Sequence, residues 1–105
     1  MDMTLTEKIL ARASGQDWAR AGDIVQARLD LVFGQDTTMP LAVLELRRME
    51  AGRVFDPKKV AVVCDHFVPN ATVEAAAKTK MLRDFAAEQG LAHYYEAGRG
   101  GNFGI

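Results

Sequence analysis

The sequence predicts an α/β fold, a three-layer arrangement around a mainly parallel sheet. Three observations carry that expectation. Residues 60–63, Val-Ala-Val-Val, form an apolar, β-branched run of the kind seen in strands buried on both faces. Residues 71–89 form the strongest helical pattern: Val73, Ala77, Met81 and Phe85 recur every four residues, and Leu82 and Ala86 widen the stripe. Patterns alternate along the 105 residues as helix, strand, helix, strand, helix, strand. That order spells two βαβ units with right-handed crossovers.

The elements follow from local chemistry. Thr4-Leu5-Thr6-Glu7 fits a capping box, with Thr4 as N-cap and Glu7 three residues on. A helix through Leu5, Ile9, Leu10 and Ala13 is expected, with Gly15 as its stop. Residues 16–23 are polar and read as a loop, in which Trp18 is expected to be a packing anchor. Residues 24–33 are the first strand candidate, with Gln26, Arg28 and Asp30 on one face and Val25, Ala27, Leu29 and Leu31 on the other. A polar turn over residues 34–38 leads to a second helix, capped by Thr37 or Thr38, with Pro40 in its first turn. Its expected core stripe is Leu41, Leu44, Leu46 and Met49, with Glu45, Arg47 and Arg48 facing water and Gly52 as the stop. Phe55-Asp56-Pro57 turns into the central strand, Gly90 closes the long helix, and residues 92–97 form a third, weaker strand. His93 in that strand is expected to be structural.

Composition narrows the function. At 49% hydrophobic and 26% charged, with formal net charge -1, the chain has the make-up of one small globular domain. There is no basic stripe with interleaved aromatics, so nucleic acid is not an expected partner. No apolar run approaches the length that crosses a bilayer. The first residues lack the layout of a signal peptide, and the single cysteine fits a reducing compartment, so a cytoplasmic location is expected. One cysteine cannot supply the several thiolates of an iron–sulfur cluster, and His66 and His93 lack zinc-site spacing. No residue of this chain is assigned as a metal ligand.

The polar residues that matter stand where residues 60–63 end, at Cys64-Asp65-His66. The carboxyl end of a buried strand is the usual site position in open α/β sheets. Asp65 can orient His66 and stabilise its charged form, leaving a ring nitrogen for proton transfer. A lone Asp-His pair at a strand end is more often a turn carrying a solvated histidine. The glycine-rich residues 98–101 could cradle phosphate through backbone N–H groups, but no helix and no Lys-Ser or Lys-Thr pair follows; a loop cut before its next element is the simpler account.

Several segments, in order, match one family: residues 3–13, Gly22-Asp23-Ile24-Val25, Asp30-Leu31-Val32, Gln35-Asp36-Thr37-Thr38-Met39-Pro40-Leu41-Ala42, residues 54–60, Cys64-Asp65-His66-Phe67-Val68-Pro69-Asn70, and Gly98-Arg99-Gly100-Gly101. Over nearly its whole length the chain resembles the amino-terminal part of the aconitase superfamily. It is most similar there to the 3-isopropylmalate dehydratase large-subunit family, with homoaconitase and dimethylmalate dehydratase as near relatives. The resemblance implies reversible dehydration and rehydration of a hydroxy-acid at a [4Fe-4S] cluster. It also implies a small-subunit partner for the full-length parent. It makes Asp65 and His66 the catalytic acid pair that protonates the leaving hydroxyl. It makes Gln35 a substrate-binding residue, at a position where many dehydratase large subunits carry His. The family's cluster cysteines, substrate-binding arginines and base serine belong to downstream sequence. Residues 1–105 are therefore expected to be a single, truncated amino-terminal portion of a hydro-lyase, holding no cluster and inactive alone. A free-standing α/β binding or interaction module derived from that fold is the alternative. Apolar faces left uncovered would favour self-association, which sedimentation velocity reads directly.

Overall fold

The computed structural model describes residues 2–99. The chain divides into two compact units, Met1–Asp30 and Leu31–Ile105.

The first unit is built on helix α1, Leu5–Ser14. Its start is the expected capping box: the Glu7 N–H donates to Thr4 Oγ1 at 3.3 Å, and the Thr4 N–H donates to Glu7 Oε2 at 2.7 Å. Gly15 ends the helix in the left-handed region, at φ 71°. Two expectations for this unit are corrected. Trp18 is an exposed side chain, with the Arg20 guanidinium 5.9 Å from its ring centroid, and is not a buried anchor. Residues 24–31 form no strand, and Ile24 is almost fully exposed.

The second unit holds the sheet. Strands β1 (Val32–Gln35), β2 (Val60–Val63) and β3 (His93–Tyr95) lie in the order β1-β2-β3, all parallel. β1 begins later than its alternation suggests because a strand exists only where a neighbour completes its ladder. β2 has four residues, and its first, Val60, is the partner of Val32. The candidate strand thus moves to Val32–Gln35, and Gly34 and Gln35 leave the expected turn to join it. β2 is buried at all four positions, as an apolar central strand must be.

Helices α2 (Met39–Arg48) and α3 (Val73–Gln89) are the two crossovers. Met39 and Val43 from α2, Val60, Val62 and Cys64 from the sheet, and Leu82 and Phe85 from α3 form one core cluster. Both helices therefore cover the same face of the sheet, as right-handed crossovers require when strands are added in one direction. Among the described residues of this unit, no helix covers the opposite face.

The helix stripes are partly corrected. In α2, two stripes have helical spacing, Met39–Val43–Leu46 and Leu41–Leu44–Arg48. In the first, Met39 and Val43 are buried and Leu46 is half-buried, while Leu41, Leu44 and Met49 are exposed. The chain leaves α2 through Glu50, at φ 54°, two residues before the expected stop at Gly52. In α3 the carboxyl-terminal half is as expected, with Leu82, Phe85 and Ala86 buried. Its amino-terminal half is rotated: Val73 and Ala77 are exposed and Thr79 is buried. Among the described residues, no helix is long and apolar enough to cross a membrane.

Candidate functional site

Parallel strands bring their carboxyl ends to one edge, and the register does so here. Gln35 lies opposite Val63, and Val63 lies opposite Tyr95. The chain leaves β2 through Cys64, whose N–H donates to the Tyr95 carbonyl at 2.8 Å, and then presents Asp65 and His66. The expected pair exists. His66 Nδ1 lies 2.6 Å from Asp65 Oδ1, with the Asp65 side chain 2% exposed and the imidazole 46% exposed. Its hydrogen bond to Asp65 raises the His66 pKa above the ordinary 6.5; desolvation opposes this, and the charges of Asp65 and Asp36 add to the rise. An imidazole with Nδ1 so engaged has Nε2 left to exchange a proton with a ligand.

The residue that reading the sequence missed is Asp36. It follows β1 directly, is fully buried, and accepts two backbone hydrogen bonds. The His66 N–H donates to Oδ1 at 3.1 Å, and the Phe67 N–H donates to Oδ2 at 2.9 Å. From the far side, Asn70 Nδ2 donates to the Phe67 carbonyl at 2.7 Å and to Thr79 Oγ1 at 2.9 Å. The loop carrying His66 is thus tied both to β1 and to α3. The sequence signal for Asp36 is weak, because on the expected bounds it lies inside the polar turn over residues 34–38, three residues past the strand candidate. Gln35 sits on the same edge through its backbone register, but the side-chain partner brought to His66 is its neighbour Asp36.

Beside the pair lies a cleft of about 360 Å³ between His66, Phe67 and Pro69 and the start of α3, where Thr72, Glu74 and Lys78 face it. Thr72 Oγ1 accepts the Ala75 N–H at 3.1 Å and caps that helix. The Lys78 ammonium lies 5.8 Å from the centre of the Phe67 ring.

Donor atoms of Asp36, Asp65 and His66 lie within 4.8 Å of one another, close enough to consider a cation. Their hydrogen bonds argue otherwise. Both Asp36 oxygens are taken by backbone N–H groups, and His66 Nδ1 is taken by Asp65. Cys64 is buried, with its sulfur 3.8 Å from the Tyr94 hydroxyl, and burial pushes its thiol pKa up. A single buried thiol that resists ionisation does not fit an iron–sulfur cluster. The glycine-rich loop begins after β3, and Gly98 is in the left-handed region at φ 83°. Gly100 and Gly101 lie outside the described residues, and the phosphate-loop reading rests on them.

The fold and the pair define an α/β protein with an acid–imidazole site at the carboxyl edge of a parallel sheet. No protein-family model matches the chain. Comparison with individual proteins is more specific, and the relatives are 3-isopropylmalate dehydratase large subunits. The chain is 48% identical over 101 residues to that of Moorella thermoacetica, covering 96% of this chain and 24% of the relative. It is 46% identical over 101 residues to that of Syntrophus aciditrophicus, with the same coverage. With large subunit 1 of Pyrococcus furiosus the identity is 45% over 103 residues, covering 98% of this chain and 24% of the relative. The chain thus spans about a quarter of the length of the curated relatives it matches, and the resemblance drawn from its motifs holds.

Proposed function

We propose that this chain carries the proton-donating pair of a hydro-lyase of the 3-isopropylmalate dehydratase type, acting on a hydroxy-acid in the cytoplasm together with a small subunit. The observation that supports it most is the 2.6 Å contact between a buried carboxylate and a half-exposed imidazole beside an open cleft. Hydroxide is a poor leaving group, so dehydration calls for a proton at the departing oxygen. The His66 imidazolium supplies that proton from Nε2 as the carbon–oxygen bond breaks and the hydroxyl leaves as water, while a base outside this segment takes the proton from the neighbouring carbon, whose C–H electrons form the double bond. In the reverse direction neutral His66 takes the proton back from water. Asp65 holds the ring and balances its charge in the protonated state. Gln35, on the same edge, is the proposed substrate contact. The [4Fe-4S] cluster used by this class would supply Lewis acidity in the full-length parent. The single buried thiol of this chain, Cys64, does not fit that cluster's ligand set.

The test is His66→Ala in the full-length dehydratase that contains this segment, assembled with its small subunit. Turnover and cluster absorbance are measured on one preparation. Turnover should fall by ~10²–10⁴-fold, the usual scale for a general acid, with the cluster absorbance unchanged. Unchanged turnover removes His66 from the mechanism. Loss of the cluster recasts it as a structural residue.

A further inference from the structure

We propose that Asp36 is a positioning residue for the Asp65–His66 pair, its buried carboxylate holding the backbone of His66 and Phe67 so that the imidazole meets Asp65. The inference rests on the acid-pair reading above and adds to it the group that sets the pair's geometry.

Asp36 is a carboxylate with no exposure, and a charge is costly in such a place unless hydrogen bonds satisfy it. Here both oxygens are satisfied, by the His66 N–H at 3.1 Å and the Phe67 N–H at 2.9 Å. Charge-assisted bonds of this kind are about twice as strong as neutral ones. They act on two consecutive peptides, so they fix the direction of the chain as well as its position. His66 lies between one residue of the pair and one anchored peptide, and its ring can reach only a narrow set of places.

The same geometry selects the partner of the imidazole. Asp36 Oδ1 is 3.9 Å from His66 Nδ1, beyond hydrogen-bond range, whereas Asp65 Oδ1 is at 2.6 Å. With its oxygens directed at backbone N–H groups, Asp36 does not compete for the ring. It still contributes negative charge close to Nδ1, on the side away from solvent. The other charged groups facing His66 come from α3, where Glu74 and Lys78 line the shared cleft with opposite signs. Asp65 and Asp36 are the charges that raise the imidazole's pKa, the first by direct contact and the second by its charge together with the backbone it holds.

The experiment uses ¹⁵N-labelled 105-residue chain in three forms: unaltered, Asp36→Asn and Asp65→Asn. NMR reads amide exchange at His66 and Phe67 and the titration midpoint of the His66 ring. In the Asp36→Asn chain, protection of both amides should fall by about tenfold while the β2 amides keep theirs, as local opening predicts. The His66 midpoint should move down. A residue that merely stabilises the fold would leave that midpoint where it is. Asp65→Asn should lower the midpoint further and leave Phe67 protection intact. If Asp36→Asn changes neither the two amides nor the midpoint, the Asp36 inference is overturned, while a shift in Asp65→Asn would still uphold the pair. If Asp65→Asn leaves the midpoint unmoved, the pair reading itself is the one that fails. Should Asp36→Asn not fold, couplings across the hydrogen bonds in the unaltered chain decide. Coupling from the Asp36 carboxyl carbon to the His66 and Phe67 nitrogens supports the inference, and its absence overturns it.

Discussion

Asp36 and Asp65 stand at the carboxyl ends of neighbouring parallel strands, and their oxygens are used differently. Each Asp36 oxygen accepts a backbone N–H, and the side chain is sealed from water. Asp65 gives one oxygen to the His66 ring, while the other is buried with no hydrogen-bond partner among the described residues. The first arrangement is a clamp, complete in itself. The second leaves a carboxylate under-satisfied beside a titrating imidazole, the kind of local cost that proteins place at functional sites. Two acids on adjacent strand ends, with the same side chain, thus divide the holding of the loop from the holding of the imidazole.

The widest gap between them should appear in stability. Asp36→Ala leaves two backbone donors without acceptors, and a stranded buried donor costs about 1–3 kcal/mol. A loss of about 2–4 kcal/mol is expected, against a total of roughly 5–15 kcal/mol for a domain. Asp65→Ala removes one bond to a half-exposed ring and also removes the unsatisfied oxygen. Its effect should stay under about 1 kcal/mol in either direction. Urea unfolding of the two variants beside the parent measures both. Equal losses would mean that Asp65 is as structural as Asp36, and the contrast drawn above would collapse.

Much of this edge was legible in the sequence, and the part that was not has a physical reason. Only Cys64 separates the Val-Ala-Val-Val run from the Asp65-His66 pair, so one local pattern contains strand, strand end and site. The capping box at Thr4 and the stop at Gly90 are local in the same sense, and the structure has both. Asp36 is not local. Its partners, His66 and Phe67, lie 30 and 31 residues away, and nothing at residues 34–38 reveals them. The same applies to α2, where Met39–Val43–Leu46 and the Leu41–Leu44 pair both have helical spacing and only the packing against β2 and α3 chooses the first. In α3, Thr79 displaces Ala77 from the buried face, where it accepts a hydrogen bond from Asn70 of the site loop. Periodicity finds the helix; the polar contact that turns it is a tertiary one. The start of β1 was likewise set by the length of β2, information that residues 24–33 do not carry.

A smaller effect sharpens the clamp side of the comparison. Gly34 precedes Gln35 and Asp36 in β1, and it is buried beneath Met39, the first residue of α2. A Cβ placed on Gly34 would overlap Met39 Sδ and lie 3.1 and 3.2 Å from Cγ and Cβ. The sulfur can swing aside, but the Cβ is fixed to the helix. Gly34→Ala should therefore cost about 1–3 kcal/mol, the usual range for overpacking. Because the strain falls on the turn that delivers Asp36, exchange at the His66 and Phe67 amides should rise with it. Unfolding at the parent's urea midpoint would show that this turn yields freely and that Asp36 needs no tight seat.

The smallest effect belongs to the chemical side and depends on pH. His66 has a raised pKa in the folded chain, first through its hydrogen bond to Asp65, while an unfolded histidine titrates near 6.5. The folded state therefore holds the imidazole proton more tightly than the unfolded one. By linkage, the stabilising contribution is fully present below the unfolded value and is lost as pH rises through the folded one. Stability should thus decline with rising pH across the window between the ordinary value and the raised one. The slope should be shallow, because the ring is half exposed and solvent screens the pair. Asp65→Asn removes the contact that causes the shift and should flatten that part of the curve. Asp36→Asn should flatten it less, since Asp36 stands 3.9 Å from Nδ1 and acts through its charge and through the backbone it holds. Urea midpoints collected from about pH 5 to 9 for the three chains give the comparison directly. Were the parent and Asp65→Asn curves to run parallel through that window, the 2.6 Å contact would contribute nothing in solution, and the imidazole would be an ordinary surface histidine.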